Sequence, residues 1–248
     1  MSTLFYQSHK YALFNHPPFA KPVSEPISDG SHPNPTALSD LSRRLLDHYV
    51  IQFNSAACSV ASVATVLNTA RSLTQKAEKA VPLTQTDILN AVQVVEWKDR
   101  ITPSGNKSRR GLPLAELGIA VENGFAQYQI PCDSVETVLL LKHPSNLADE
   151  KEKLKNRLIA FEKSGACFII AHFNQGIFIK SLHIPHISPV GAYHIADNKV
   201  LVLDVDREGP GPYWLSFEKF FEGLTSDYNG RLKKYGYDGG GYVYVELK

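Results

Sequence analysis

The sequence predicts an α+β fold, a helical N-terminal half packed on an antiparallel sheet from the C-terminal half. Two observations carry this expectation. Apolar residues recur at helical spacing through the first half, most densely from Cys58 to Arg71. In the second half, short runs rich in Val, Ile, Phe and Tyr are bounded by turn residues and read as strands. Helices gathered ahead of strands, instead of alternating with them, favour antiparallel pairing.

Residues 1–35 are rich in Pro, Ser and His without a sustained period, and read as an extended N-terminal arm. Residues 36–248 read as the folded domain. Thr36 to Asp47 places Leu38, Leu41, Leu45 and Leu46 on one helical face, and His48 to Ile51 is a short extended piece. From Cys58 to Arg71, Val60, Ala61, Ala64, Val66 and Leu67 mark a buried helix. Pro82 and Thr84 open the next one, with Thr84 and Asp87 spaced as a capping box and Ile88, Leu89, Val92 and Val95 as its inner face. Ile101 to Gly111 is a polar loop holding Lys107, Arg109 and Arg110 near Arg100; it is either solvated or the edge of an active site. Leu114 to Asn123 reads as a helix ended by Gly124. Thr137 to Leu141 reads as a strand, and Asp149 to Lys163 as an amphipathic helix with Leu154, Leu158 and Phe161 inside. Phe168–Phe173, Val190–Ile195, Val200–Val205 and Gly241–Leu247 read as strands, with Asp197-Asn198-Lys199 turning between the middle two.

The 248 residues, 43% apolar and 21% charged, are enough to form a sizeable core without covalent staples. A net charge of +1 argues against a broad basic face, so no nucleic-acid partner is expected. Cys58, Cys132 and Cys167 cannot all pair with one another and form no CxxC, which favours a reducing compartment. The N-terminus lacks an apolar core of signal-peptide length, and no run approaches the roughly 18 apolar residues of a membrane span. A cytoplasmic protein with no membrane partner is therefore expected.

The chemistry centres on Gln52 to Leu67. A thiol in the first turn of a helix, as at Cys58, lies near the positive end of the helix dipole, which favours its thiolate. Gln52, six residues upstream, can bring a side-chain N–H to a developing oxyanion. The alternative is a buried structural thiol. A nucleophilic cysteine needs a base, and histidine is the default. His172, inside the apolar run AHF, reads as structural, and His194 fits either role. His186 stands just ahead of a strand, where a side chain can face a groove. Asp204 is a lone carboxylate among apolar neighbours, which either orients an imidazole or caps a loop. If HISPVGAY and VLVLDV form a hairpin, His186 and Asp204, eighteen residues apart, meet across it. Cys58 would then attack, His186 would carry the proton and Asp204 would fix the ring. His183 and His186 are three apart but have no third ligand at suitable spacing, so no metal site is expected.

Taken together, Gln52-x5-Cys58, the following VAS and VLN, HISPVGAY, LDVDR and RRGLPLAEL near Arg110 resemble the catalytic domain of the phytochelatin synthase family. The resemblance runs from about Tyr49 to Val245 and implies a papain-like cysteine-protease fold. It implies a nucleophile at Cys58, a histidine at His186, an aspartate at Asp204 and an oxyanion glutamine at Gln52. It further implies attack of the thiolate on the Cys–Gly amide of glutathione, loss of glycine and a γ-Glu-Cys acyl-enzyme. Water would release γ-glutamylcysteine, and a second glutathione would give a phytochelatin. With its three cysteines and an end that coincides with the catalytic domain, the chain resembles the short bacterial members, so hydrolysis is expected to dominate. Another small peptide or γ-glutamyl thiol is the alternative substrate. The family's Tyr-Cys-Gly is here Ala57-Cys58-Ser59. Its aspartate for the γ-glutamyl amine falls on Asp227, and its arginine after the triad aspartate on Arg207. Its arginine before the last strand falls near Gly240, which leaves Arg231, Lys233 or Lys234 to hold the substrate carboxylate. No tightly bound cofactor is expected; cadmium or zinc would enter as a metal–glutathione substrate. A homodimer is an option that the sequence leaves open.

Overall fold

The computed structural model describes residues 38–74, 81–102, 104–107, 109–140, 146–179, 184–226, 228 and 230–248, with 230 and 231 described for their main chain alone. The expected N-terminal arm, residues 1–35, lies outside the described residues. Four helices come first: α1 (Asp40–Asp47), α2 (Cys58–Thr74), α3 (Gln85–Ala91) and the single turn α4 (Trp97–Arg100). Then follow α5 (Leu114–Gln127), β1 (Cys132–Leu140), α6 (Leu147–Ser164) and β2 (Cys167–Asn174). The chain closes with β3 (Pro185–His194), β4 (Lys199–Val202), β5 (Tyr213–Ser216), α7 (Phe217–Leu224), α8 (Gly230–Lys233) and β6 (Gly240–Leu247). The six strands form one sheet in the order β1-β6-β2-β3-β4-β5, and every neighbouring pair is antiparallel. This α+β arrangement, with helices leading and the sheet built mainly from the second half, is papain-like.

The fold closes around α2. Every residue from Ser59 to Ala70 is buried, in a helix whose faces carry small and apolar side chains interleaved with short polar ones. It packs on β3, α1, α3 and α5. The hydroxyls along it are used instead of being left dry. Ser59 Oγ accepts the Trp97 indole N–H at 2.9 Å, and Ser62 Oγ donates to the Ile187 carbonyl at 3.1 Å. Thr65 Oγ1 donates to the Ala61 carbonyl at 3.0 Å and accepts the Val50 N–H at 3.1 Å. That last bond fixes the incoming segment ahead of the helix.

Helix ends follow their caps. Ser39 accepts the Ser42 N–H at 3.2 Å and α1 begins at Asp40; Thr36, the expected start of this helix, lies outside the described residues. Thr84 and Asp87 form the capping box read from the sequence. Gly124 does not end α5, which runs on to Gln127. A Cβ at Gly124 would lie 3.3 Å from Leu67, so this glycine lets α5 approach α2 closely instead of reversing the chain.

The hairpin expected around Asp197-Asn198 is present, with His194 opposite Lys199 and Val190 opposite Val202. Its second strand stops at Val202 and not at Val205. Leu203 still donates its N–H to the Pro189 carbonyl at 2.9 Å, and beyond it the Asp204 carbonyl accepts the Tyr49 hydroxyl, and the Val205 carbonyl accepts the Gln52 N–H at 2.9 Å. Edge strand β5 and helix α7, capped by Ser216, complete this side.

Candidate active site

Cys58 is the first residue of α2 and is half-buried. It lines a cavity of about 230 Å³ with Ser55, Arg110, Leu112, His172 and Tyr237 among its walls. Buried small residues on both sides, Ala57 and Ala61, seat the start of the helix firmly in the core. The segment leading to it is pinned from Tyr49 to Gln52 along Asp204 and Val205, and Asn54 Oδ1 accepts the Ala56 N–H at 2.7 Å to turn the chain into the helix.

His186 is the second residue of β3, inside the strand and buried, not ahead of it. Its Nε2 lies 2.8 Å from Asp204 Oδ1, which leaves Nδ1 for the sulfur side. Asp204 is wholly buried, which would leave a lone carboxylate strongly disfavoured. It is not alone. Oδ1 also accepts the Asp206 N–H at 2.9 Å, and Oδ2 accepts Gln175 Nε2–H at 3.3 Å. Burial opposes a charged ring at His186, but the Asp204 charge and hydrogen bond, helped by Cys58, push its pKa up to about 10. Burial likewise works against the Asp204 carboxylate, but the His186 charge and the hydrogen bonds outweigh it and hold the carboxyl below its usual range. The pair is therefore an imidazolium and a carboxylate at neutral pH.

Gln52 is buried, and its Nε2 donates to Asp206 Oδ1 at 3.3 Å, while its Oε1 has no partner among the described residues. The carboxylate can only accept, so the NH₂ end of the amide faces it and one N–H remains uncommitted.

His172 is a satisfied histidine, as its apolar strand suggested. Burial lowers its pKa to about 4, so the ring is neutral. The Leu112 carbonyl can only accept, so Nε2 donates to it at 3.3 Å and Nδ1 takes the Tyr228 hydroxyl at 2.9 Å. The polar loop read as either solvated or an active-site edge holds both kinds of residue. Lys107 and Arg110 are both exposed, but Arg110, with the buried Gly111, also lines the Cys58 cavity. Arg100 is wholly buried and shares Glu116 with Arg109, whose Nη2 is 2.6 Å from Oε1.

Among the proposed substrate residues, Asp227 lies outside the described residues, as does the side chain of Arg231. Arg207 Nη1 donates to the Phe53 carbonyl at 3.4 Å, beside Gln52. Lys234 is exposed with Nζ 4.8 Å over the Tyr235 ring, and it is not a cavity wall. A Cβ at Gly240 would come 2.3 Å from the Leu224 carbonyl, so no side chain fits there without a shift of the main chain. Among the described residues no three His, Cys, Asp or Glu gather as a metal set; His183 lies outside them. Nor, among those residues, is any helix long and apolar enough to cross a membrane. Tyr49, Gln175, Asp206 and Tyr237 are the polar neighbours that sequence reasoning missed. Of these, only Asp206 stood inside a motif, LDVDR, that could have singled it out.

The family model of phytochelatin synthase matches residues 37–237. No curated protein matches the chain.

Proposed function

The chain belongs to the phytochelatin synthase family, and from that we propose that it is a papain-like thiol enzyme that cleaves the Cys–Gly bond of glutathione. The observation that carries this reading is the buried His186–Asp204 pair, 2.8 Å apart, whose ring also interacts with Cys58 at the start of α2. The ring stands on the sulfur side, placed to exchange a proton with the thiol, whose thiolate is the reactive form. The thiolate adds to the Cys–Gly carbonyl. The uncommitted N–H of Gln52 donates to the oxyanion. His186 gives its proton to the departing glycine amine as the C–N bond breaks, leaving a γ-Glu-Cys thioester on Cys58. The ring, now neutral, takes a proton from the acceptor, and the thioester opens. Asp204 holds the ring in one orientation throughout and stabilises its charge.

Two acceptors fit this chemistry. Water gives γ-glutamylcysteine; the amine of a second glutathione gives a phytochelatin. Hydrolysis is taken as the main reaction, as the likeness to the short members of the family implies, with transfer to a second glutathione as the minor one. Cadmium or zinc, where it has an effect, acts as a metal–thiolate form of the substrate, and no resident cofactor takes part. A second reading keeps the Cys58–His186–Asp204 set but changes the substrate to another small peptide or γ-glutamyl thiol. The lack of an arginine near Gly240, where the family's carboxylate-binding arginine falls, favours keeping it.

The test is product analysis after incubation with glutathione, with and without a zinc or cadmium salt. Glycine is expected to equal the sum of γ-glutamylcysteine and of the γ-Glu-Cys units transferred to phytochelatin, with γ-glutamylcysteine the larger share. Inert glutathione together with a rapidly alkylated Cys58 would move the assignment to the second reading.

A further inference from the structure

One charged group beside the thiol has no role in the chemistry above. Arg110 lines the same cavity as Cys58, and its guanidinium donates to the hydroxyl of Ser55, three residues ahead of the sulfur. The main chain that carries it is tied at three successive residues. The Tyr237 hydroxyl donates to the Arg110 carbonyl at 2.7 Å. The Gly111 N–H donates to the Arg100 carbonyl at 3.1 Å, and His172 donates to the Leu112 carbonyl at 3.3 Å. Gly111 stands at φ +71°, and a Cβ there would come 2.9 Å from the Tyr237 hydroxyl. The segment is thus held in a turn that suits glycine, with Arg110 set against the wall that leads into α2.

The surrounding charges are unequal. Arg100 and Arg109 share the single carboxylate of Glu116. Among the described residues no carboxylate pairs with Arg110, whose partner is a neutral hydroxyl. A guanidinium presents a planar fork that takes both oxygens of a carboxylate, and it releases a neutral hydroxyl readily in exchange. Gly240 cannot supply such a group, and Lys234 is not in the cavity wall.

We propose that Arg110 binds a carboxylate of the substrate in the Cys58 cavity, making the site selective for small acidic peptides. This rests on the reading of Cys58 as the nucleophile. A glutathione-type peptide offers two such carboxylates, one on the γ-glutamyl group and one on the terminal glycine.

Two alkylating agents test it without turnover. Iodoacetate and iodoacetamide both react with a thiolate, but only iodoacetate carries a carboxylate. In the full chain, the ratio of their rates at Cys58 should fall about tenfold in Arg110→Gln, the scale of one lost charge-assisted contact. Arg110→Lys should fall between, with the iodoacetamide rate within about twofold of wild type in both, which shows that the thiol and the fold are intact. An unchanged ratio in Arg110→Gln overturns the proposal. If glutathione proves inert while the ratio still falls, the function reading fails and the carboxylate site stands. With glutathione turned over, two analogues separate the sources: one with a γ-aminobutyryl group in place of γ-glutamyl, and one with an amidated glycine. The Arg110→Gln defect should vanish for whichever analogue lacks the carboxylate that Arg110 holds. A defect equal for both analogues and for glutathione contradicts carboxylate binding.

Discussion

Asp204 Oδ1 takes its hydrogen bond from His186 Nε2 at 2.8 Å in a site with almost no solvent, and it is this carboxylate that keeps the buried ring charged. Asp204→Asn removes the charge that offsets burial. The ring pKa should then drop from about 10 to below its ordinary value of about 6.5, since desolvation is left unopposed. Imidazole nitrogen shifts by NMR at pH 8 report this directly, with a neutral ring expected in the variant and a charged one in the wild type. Turnover at pH 8 should fall about 10²- to 10⁴-fold, the usual weight of general acid–base catalysis.

The same pair sets a pH window for stability. His186 is raised on folding, so its contribution is complete below about pH 6.5 and is lost as pH rises through about 10. Asp204 is lowered on folding, so its contribution is present above about pH 4 and is lost as pH falls through its folded value. The gap in urea midpoint between the wild type and His186→Gln/Asp204→Asn should therefore be widest from about pH 4 to 6.5 and shrink steadily toward pH 10. A gap that widens above pH 8 would mean that the ring is not charged in the folded protein.

Gln52 is tied to Asp206 through one N–H and to Val205 through its main chain. Gln52→Ala keeps the main-chain tie and removes the side-chain N–H proposed above as the oxyanion donor. It should lower kcat about 10²- to 10³-fold and leave the iodoacetamide rate of Cys58 within a few-fold, because alkylation forms no oxyanion. Equal loss in both assays would show that Gln52 acts on the thiol itself.

Ser59 stands where the family has glycine, and its hydroxyl is the partner of the buried Trp97 indole. Ser59→Ala strands that N–H and should destabilise the protein by about 1–3 kcal/mol in urea titrations. Ser59→Ala in a Trp97→Phe background should do much less, since no donor is then left unpaired. Simple additivity of the two changes would contradict the coupling.

Much of this was legible in the sequence wherever the signal was local. Helical spacing placed α2 with Cys58 at its head, and the His186–Asp204 spacing across a two-strand hairpin predicted their meeting. The hidden parts were contacts between residues far apart in the chain. No periodicity announces that Tyr49 holds the Asp204 carbonyl, or that Gln175 completes the Asp204 carboxylate. Val200 to Val205 reads as one strand because all but Asp204 are apolar, yet the strand ends at Val202: Leu203 keeps a bond to Pro189, and the Val205 carbonyl takes the Gln52 N–H. Gly124 looked like a helix stop because glycine serves equally for reversal and for close packing, and only the neighbour, Leu67, decides which. The strand Tyr213–Ser216 follows a Gly-Pro-Gly-Pro run that masks it.

The most direct measurement is the intact mass of the protein, acid-quenched within the first turnover after mixing with glutathione. A γ-Glu-Cys adduct on Cys58 is predicted, forming with a burst of one glycine per active chain and absent from Cys58→Ser. Glycine release at the wild-type rate by Cys58→Ser, or release with no adduct on Cys58 even at the earliest quench, would contradict attack by this thiol.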